Sequence, residues 1–305
     1  MRDPNVVIDW LLEDADIAVK YRTLVDVLDK TANDPEVRAA HRAVQSSPEV
    51  IRIFSKRNQN GLWPHTPKNF ASYTTTYYLM ALAEQGLDKN DERISRIVTW
   101  YLKYLETNKD VYCAFMPVTL RALAMLGYGN DKKIKPLIDA YIKTIRFDGG
   151  YLCDWKRNKY KGTDRLPKSC FNISAQTLLL YAYLSPSQQS SPACKKLVEY
   201  FFKRRVLYKN DDPHKIIVTT KSSFPVYMPV ISLYHILYAL SVLGYGRRKE
   251  LSDAWSLLKS KQDRQGKYAL EKTPSKKIFS VGKINEPNKW VTFYICLAEK
   301  YKNSC

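Results

Sequence analysis

FDGGYLCDWKRNKYKGTDRLPKSCFNISAQTLLLYAYL, residues Phe147 to Leu184, is the stretch whose reading decides the fold. It opens with a glycine turn, Asp148-Gly149-Gly150-Tyr151. It then crosses a basic loop that holds Cys153 and ends in an apolar helix beginning near Cys170. The same order of turn, loop and apolar helix recurs. Gln59-Asn60-Gly61-Leu62-Trp63 precedes an apolar run at 72–87, and Gln262 to Tyr268 (QDRQGKY) precedes one at 286–301. Ala122-Leu123-Ala124-Met125-Leu126-Gly127-Tyr128-Gly129 matches Ala239-Leu240-Ser241-Val242-Leu243-Gly244-Tyr245-Gly246. The aligned alanines, 81, 122, 182 and 239, lie 41, 60 and 57 residues apart. Spacings of that order belong to helical-hairpin repeats.

Working outward, the periodicity predicts short helices over 5–57. Asp34-Pro35 and Ser47-Pro48 each place a capping side chain before a proline at the first helical position. Apolar helices at 72–87, 111–127, 170–184, 224–246 and 286–301 alternate with charged ones at 91–106, 132–145, 192–205 and 248–260. Helices buried on most faces should be apolar all round, and those buried on one face amphipathic. Residues 1–57 read as a helical collar and 58–305 as hairpin repeats, together one domain. Glycines at the helix ends read as left-handed caps. The only β-like run is KIIVTT at 215–220.

Composition bounds the function. Lys and Arg number 49 against 30 Asp and Glu, a formal charge of +19, which favours anionic partners such as nucleic acid or phosphate-bearing small molecules. The lysines are spread along the chain, so a solvated basic exterior explains the charge equally well. No run of about 18 apolar residues exists, so no membrane span is expected. The N-terminus lacks a signal-peptide layout. A cytoplasmic protein with reduced thiols follows, and its six cysteines read as packing, metal or redox groups rather than a disulfide frame.

The glycine–aromatic turns resemble the Q-x-x-x-G-x-W/Y turns of squalene–hopene cyclases, and Asp148-Gly149-Gly150-Tyr151 resembles a turn of protein prenyltransferase β-subunits. The chain resembles uncharacterised prokaryotic prenyltransferase/squalene-cyclase-like proteins more closely than it does these. That likeness rests on Trp10 to Asp26, the cysteines at 113, 153 and 170, Arg205 to Lys209, Leu257 to Tyr268 and Glu286 to Trp290. It implies an all-α, α/α-toroid fold of about five or six hairpins around a central cavity. It also implies a prenyltransferase- or cyclase-like activity on an isoprenoid or other apolar substrate, with or without a diphosphate. The D-x-D-D and D-D-x-x-D acids of those families are absent. The residue two before Cys170 is Lys168, where the prenyltransferase zinc set has Asp.

Candidate site residues follow from position and chemistry. Cys113, Cys153 and Cys170 lie at or between inner-helix starts, where converging thiolates would suit Zn²⁺; buried packing is the alternative. His235, in LYHILYAL, is the catalytic candidate, or else a hydrogen-bonded core residue. Lys289 and Trp290 open the last inner helix, where amides and a cation form an anion site or simply a cap. Arg165 and Lys168 belong to the basic loop, which suits phosphate or single-stranded nucleic acid. Tyr73, Tyr151 and Tyr234 are candidates for an aromatic substrate wall. A non-catalytic scaffold for a protein partner, or a nucleic-acid-binding helical ring, are the competing functions.

Overall fold

The computed structural model describes residues 4–59, 61, 63, 71–107, 116–153, 159, 161–162, 166–209, 212–217, 222–223, 231–273 and 278–304. The chain is predominantly helical, with one two-stranded ribbon. It divides into two compact units. The first comprises Met1–Lys56, Glu84–Leu87 and Arg205–Cys305; the second comprises Arg57–Ala83 and Asp88–Arg204. No described helix is long and apolar enough to cross a membrane.

The first unit begins with α1 (Pro4–Leu12), α2 (Ile17–Arg22), α3 (Pro35–Gln45) and α4 (Pro48–Ser55). The two Asp/Ser-Pro starts behave as read. Asp34 accepts the amide of Glu36 at 2.8 Å, and Ser47 that of Val50 at 3.3 Å. A wide turn, Thr23–Val27, extends α2, and α2 packs on α3. In the second unit α5 (Ala71–Glu84) gives its last residue to the first. It is followed by α6 (Glu92–Thr107), α7 (Met116–Leu123), α8 (Ile134–Ile142), α9 (Phe171–Tyr181), the single turn α10 (Pro186–Gln189) and α11 (Pro192–Phe202). The chain returns to the first unit with β1 (Tyr208–Lys209), antiparallel to β2 (Asp212–Ile216), then α12 (Leu233–Val242), α13 (Ser252–Lys259) and α14 (Lys289–Ser304).

The alternation predicted from sequence is present. Every residue of α7, and α9 from Ile173 on, is buried, as is α12 from Leu233 to Ser241. Helices α8, α11 and α13 bury one face. Three boundaries differ from the reading. Helix α12 starts at Leu233 rather than 224, because Ser232 and His235 form its cap; residues 224–230 lie outside the described set. Helix α11 stops at Phe202, since Arg205 and Val206 take positive φ values of 46° and 64°. The strand expected at 215–220 begins earlier, at Asp212, where its ladder partner sets the register; 218–220 are not described.

Hydrogen bonds give the repeat its physical content. In the second unit Arg146 N–H donates to Gly150 O at 3.0 Å, and Gly149 N–H to Arg146 O at 3.1 Å. Tyr151 then takes Cys170 N–H on its carbonyl at 2.7 Å and gives its own N–H to Ser174 Oγ at 2.9 Å. In the first unit the same bonds run Asp263 to Lys267 (2.9 Å), Gly266 to Asp263 (3.2 Å), Asn288 to Tyr268 (2.8 Å) and Tyr268 to Thr292 Oγ1 (3.0 Å). The turns stand 117 residues apart, the offset between Ala122 and Ala239. Segment α7–α9 is therefore one module and α12–α14 a second copy. Their paired apolar helices, α7 with α9 and α12 with α14, pack directly on each other. Hydroxyls join neighbouring helices: Tyr101 of α6 to Thr76 of α5 at 2.7 Å, Thr76 to Thr119 of α7 at 2.8 Å, and Tyr141 of α8 to Thr177 of α9 at 2.8 Å.

Candidate functional site: a tryptophan-walled pocket over a buried ion pair

Within the first unit, the start of α14 faces the α1–α2 corner across a pocket of about 490 Å³. That volume falls in the usual range for organic ligand sites, roughly 300–1,000 Å³. Trp10 and Trp290 supply apolar wall; Asp14, Asp16, Glu49, Gln85 and Lys289 supply the polar groups. Asn288 holds the corner. Its side-chain oxygen accepts Val291 N–H at 3.0 Å, and its amide donates to Val281 O. The first turn of α14 is thus already capped by its own residue.

Lys289 was expected to bind an anion. Its ammonium instead lies 3.2 Å from Glu13 Oε2, 3.3 Å from Glu13 O and 5.5 Å from the Trp10 ring centre. Lys267 covers the same ring at 4.5 Å. Glu13 is well exposed, so this pair is screened and weak. Asp16, the N-cap of α2, accepts Val19 N–H at 3.2 Å. Burial pushes its carboxyl up to about 6, against the Val19 amide and the nearby Lys289 charge. The Trp290 indole N–H lies beside the same carboxyl and also lowers its pKa. Trp290 is 2% exposed, and its Nε1 has no hydrogen-bond partner among the described residues.

A polar layer in the same unit shares α2 and α14 with the pocket. Arg22 Nη1 donates to Glu84 Oε2 at 2.9 Å and to Tyr294 Oη at 3.0 Å, and its Nε donates to Asp26 at 2.8 Å. Tyr294 donates to Glu84 at 2.6 Å. The guanidinium sits 4.9 Å from the Phe293 ring centre and 5.3 Å from that of Tyr294. Arg22 and Glu84 are both buried, so each satisfies a charge that would be costly alone. His235 lies against this layer, 4.1 Å from the Tyr234 ring and 5.7 Å from that of Tyr294. Its Nδ1 accepts Ser232 N–H at 3.1 Å, which makes it a capping residue at the head of α12; it does not line the pocket. Tyr234 is 1% exposed, and its hydroxyl is held well above the usual tyrosine range by burial and then by the Glu84 carboxylate.

The remaining candidates fall in the second unit. Tyr151 is buried, donates its hydroxyl to Ile142 O at 3.0 Å and stacks on Tyr141 at 5.3 Å, so it acts as an internal strut. Lys168 is exposed. Cys153 and Cys170 are free thiols brought next to each other. Burial raises the Cys170 thiol, the Ile173 and Asn172 amides at the start of α9 oppose this, and the neighbouring Cys153 raises it further. Two thiols are half of a tetrahedral zinc set. Among the described residues no third His, Cys, Asp or Glu joins them. Those residues alone do not fit a zinc ion. Cys113, Arg165 and the side chain of Tyr73 lie outside the described set.

Sequence reading missed Asp16, Trp10 and Gln85 as pocket residues, and it missed the Arg22–Glu84 pair. Asp16 sits in an acidic run, Glu13-Asp14-Ala15-Asp16, which carries no local mark of burial. One signal was available: Glu84 closes an otherwise apolar run, TTYYLMALAE, and asks for a buried partner. No protein-family model matches the chain, and no curated protein matches it.

Proposed function

We propose that this chain is a prenyltransferase/terpene-cyclase-like protein whose hairpins close into an α/α toroid. It would bind an apolar ligand of isoprenoid type by its polar end in the Trp10–Trp290 pocket. The buried indole N–H of Trp290, a pocket-lining residue, makes no full hydrogen bond among the described residues and has the Asp16 carboxyl beside it, and this pair carries the reading. A buried unsatisfied donor costs about 1–3 kcal/mol, which a ligand oxygen would recover. Asp14, Asp16 and Glu49 share the wall, and Lys289 is engaged by Glu13, so the pocket favours a hydroxyl head over a diphosphate. The hydroxyl accepts from Trp290 and donates to the Asp16 carboxylate, while the tryptophan faces cover the hydrocarbon. The Arg22–Glu84–Tyr294 layer holds α2 and α14, the helices that carry these two groups.

Tryptophan fluorescence titration with farnesol and farnesyl diphosphate tests this. Farnesol is expected to bind the wild-type chain more tightly than the diphosphate, and Trp290→Phe, which keeps the ring and removes the donor, to weaken it roughly 5- to 30-fold. Binding of neither compound overturns the reading and moves the search to the +19 surface and nucleic acid. The zinc expectation is separate: about one metal per chain, lost in a Cys153→Ser/Cys170→Ser variant, would establish it.

A further inference from the structure

Helix α7 is buried along its whole length, and it contains a charge. Arg121 is 2% exposed, and its Nε and Nη2 hydrogen-bond to nothing among the described residues. No acidic side chain pairs with it among those residues, unlike Arg22 in the first unit, which has Glu84 and Asp26. A guanidinium keeps its charge in a protein, so a buried one without an anion is a large uncompensated cost.

The repeat locates the gap. Arg121 occupies the position that Tyr238 holds in the second module; past the turn the offset grows to 118, as Ser174 and Thr292 show, so Gln176 on α9 occupies the position of Tyr294. In that module the two tyrosine rings fill the seam between inner helices, 5.4 Å apart and edge to face. By the repeat, the first module has an arginine and a glutamine at these two positions, 2% and 1% exposed, on helices α7 and α9 that pack on each other. The two orphaned nitrogens, Nε and Nη2, form the side-on edge of the guanidinium, whose parallel N–H bonds match two oxygens of one carboxylate or phosphate.

We infer that the α7–α9 seam is a binding site for an oxyanion, the carboxylate or phosphate of a small molecule held bidentately by Arg121. This site lies wholly within the second unit and does not depend on the pocket reading above.

The full-length chain, uniformly labelled with ¹⁵N, would be titrated with acetate, inorganic phosphate and pyrophosphate at matched ionic strength. The Arg121 Nε–H resonance and the thermal midpoint would be followed together. At least one of the three should move that resonance saturably and raise Tm; which one distinguishes a carboxylate from a phosphate ligand. Arg121→Lys, which keeps the charge and loses the fork, should bind the same anion roughly 10- to 100-fold more weakly. Arg121→Met should abolish the Tm increment and, without anion, be at least as stable as wild type. An Nε–H resonance unmoved by all three anions overturns the inference, as does an equal Tm increment in Arg121→Met. If Arg121→Met does not fold, the wild-type titration and Arg121→Lys still decide.

Discussion

The turn at Arg146–Tyr151 and the turn at Asp263–Tyr268 share every backbone hydrogen bond that defines them, yet they are packed in different ways. In the first, Gly150 is enclosed: a Cβ there would lie 2.6 Å from Ser169 Cβ, 2.7 Å from Ser174 Oγ and 2.8 Å from Tyr200. The second turn has Lys267 at this position, with its ammonium over Trp10 at 4.5 Å. The first turn is buried under α11, whereas the second sends the Lys267 side chain over Trp10 of α1. Backbone pairing is what the repeat conserves between its two copies, and side-chain space is what it leaves free to vary.

The sharpest way to break that comparison is at the one glycine common to both. Gly149 and Gly266 have φ of 85° and 89°, a region that costs a side-chain-bearing residue about 1–2 kcal/mol. Beyond that shared term the two differ. A Cβ on Gly149 would fall 2.7 Å from the carbonyl oxygen of Lys196 in α11, while on Gly266 it would meet side chains, the Val7 methyl at 2.8 Å and Gln262 Nε2 at 3.5 Å. A helix backbone cannot yield as a side-chain methyl can. Gly149→Ala is therefore expected to destabilise by about 3–4 kcal/mol and Gly266→Ala by about 1–2 kcal/mol in urea denaturation. Equal losses would mean that the α11 contact contributes nothing.

A second difference is electrostatic. Asp148 reaches across its turn to Ser169, accepting the backbone N–H at 2.8 Å and the hydroxyl at 2.5 Å. In the second turn Asp263 instead bonds locally, to the amides of Gln265 at 2.9 Å and Lys267 at 2.8 Å. Burial works against ionisation of Asp148, but the two Ser169 bonds, the Gly150 amide and the Arg146 charge outweigh it, so its pKa is lowered. A carboxyl with a lowered folded-state pKa contributes its stability above its unfolded value, near 4, and loses it as the pH falls through the folded one. Asp148→Asn should then cost about 1–3 kcal/mol at pH 7 and progressively less below pH 4. A cost unchanged between pH 7 and pH 3 would assign the effect to shape rather than charge. Asp16 runs the other way. With its pKa raised to about 6, its contribution is full below about 4 and is lost as the pH rises through 6.

How much of this was legible follows from range in sequence. The glycine–aromatic turns, the Asp34-Pro35 and Ser47-Pro48 caps and the alternation of buried and one-sided helices were readable, because each is written within a few residues or one helical period. The Trp10–Trp290 pocket was not, since its wall joins Asp16, Gln85 and Lys289 from three distant segments. Arg22–Glu84 was equally hidden, its partners standing 62 positions apart. Arg121 was visible as a charge inside VTLRALAML, but only the structure shows it buried with no partner for Nε and Nη2 among the described residues.

The smallest expected effect sharpens the comparison most, because it concerns the position where the two modules chose different chemistry for one task. Asn288 and Cys170 both precede an inner helix and both give their N–H to the tyrosine carbonyl of the turn. Asn288 also caps α14 through its side chain; Cys170 makes no such capping bond to α9. Asn288→Ala should cost about 1–2 kcal/mol, since it uncaps Val291 and strips Val281 O of its donor. Cys170→Ala should cost under about 1 kcal/mol. The informative variant is Cys170→Asn, which transplants the second module's cap into the first. Cys170 has φ −85° and ψ 119°, extended backbone suited to a cap, so the transplant should stabilise thermal unfolding by about 0.5–1 kcal/mol. If it stabilises, the thiol is a poorer cap that this position merely tolerates. If it destabilises while Cys170→Ala does not, the space beside Cys153 is shaped for sulfur, and the pair of thiols, rather than the helix start, explains why the first module departs from the second.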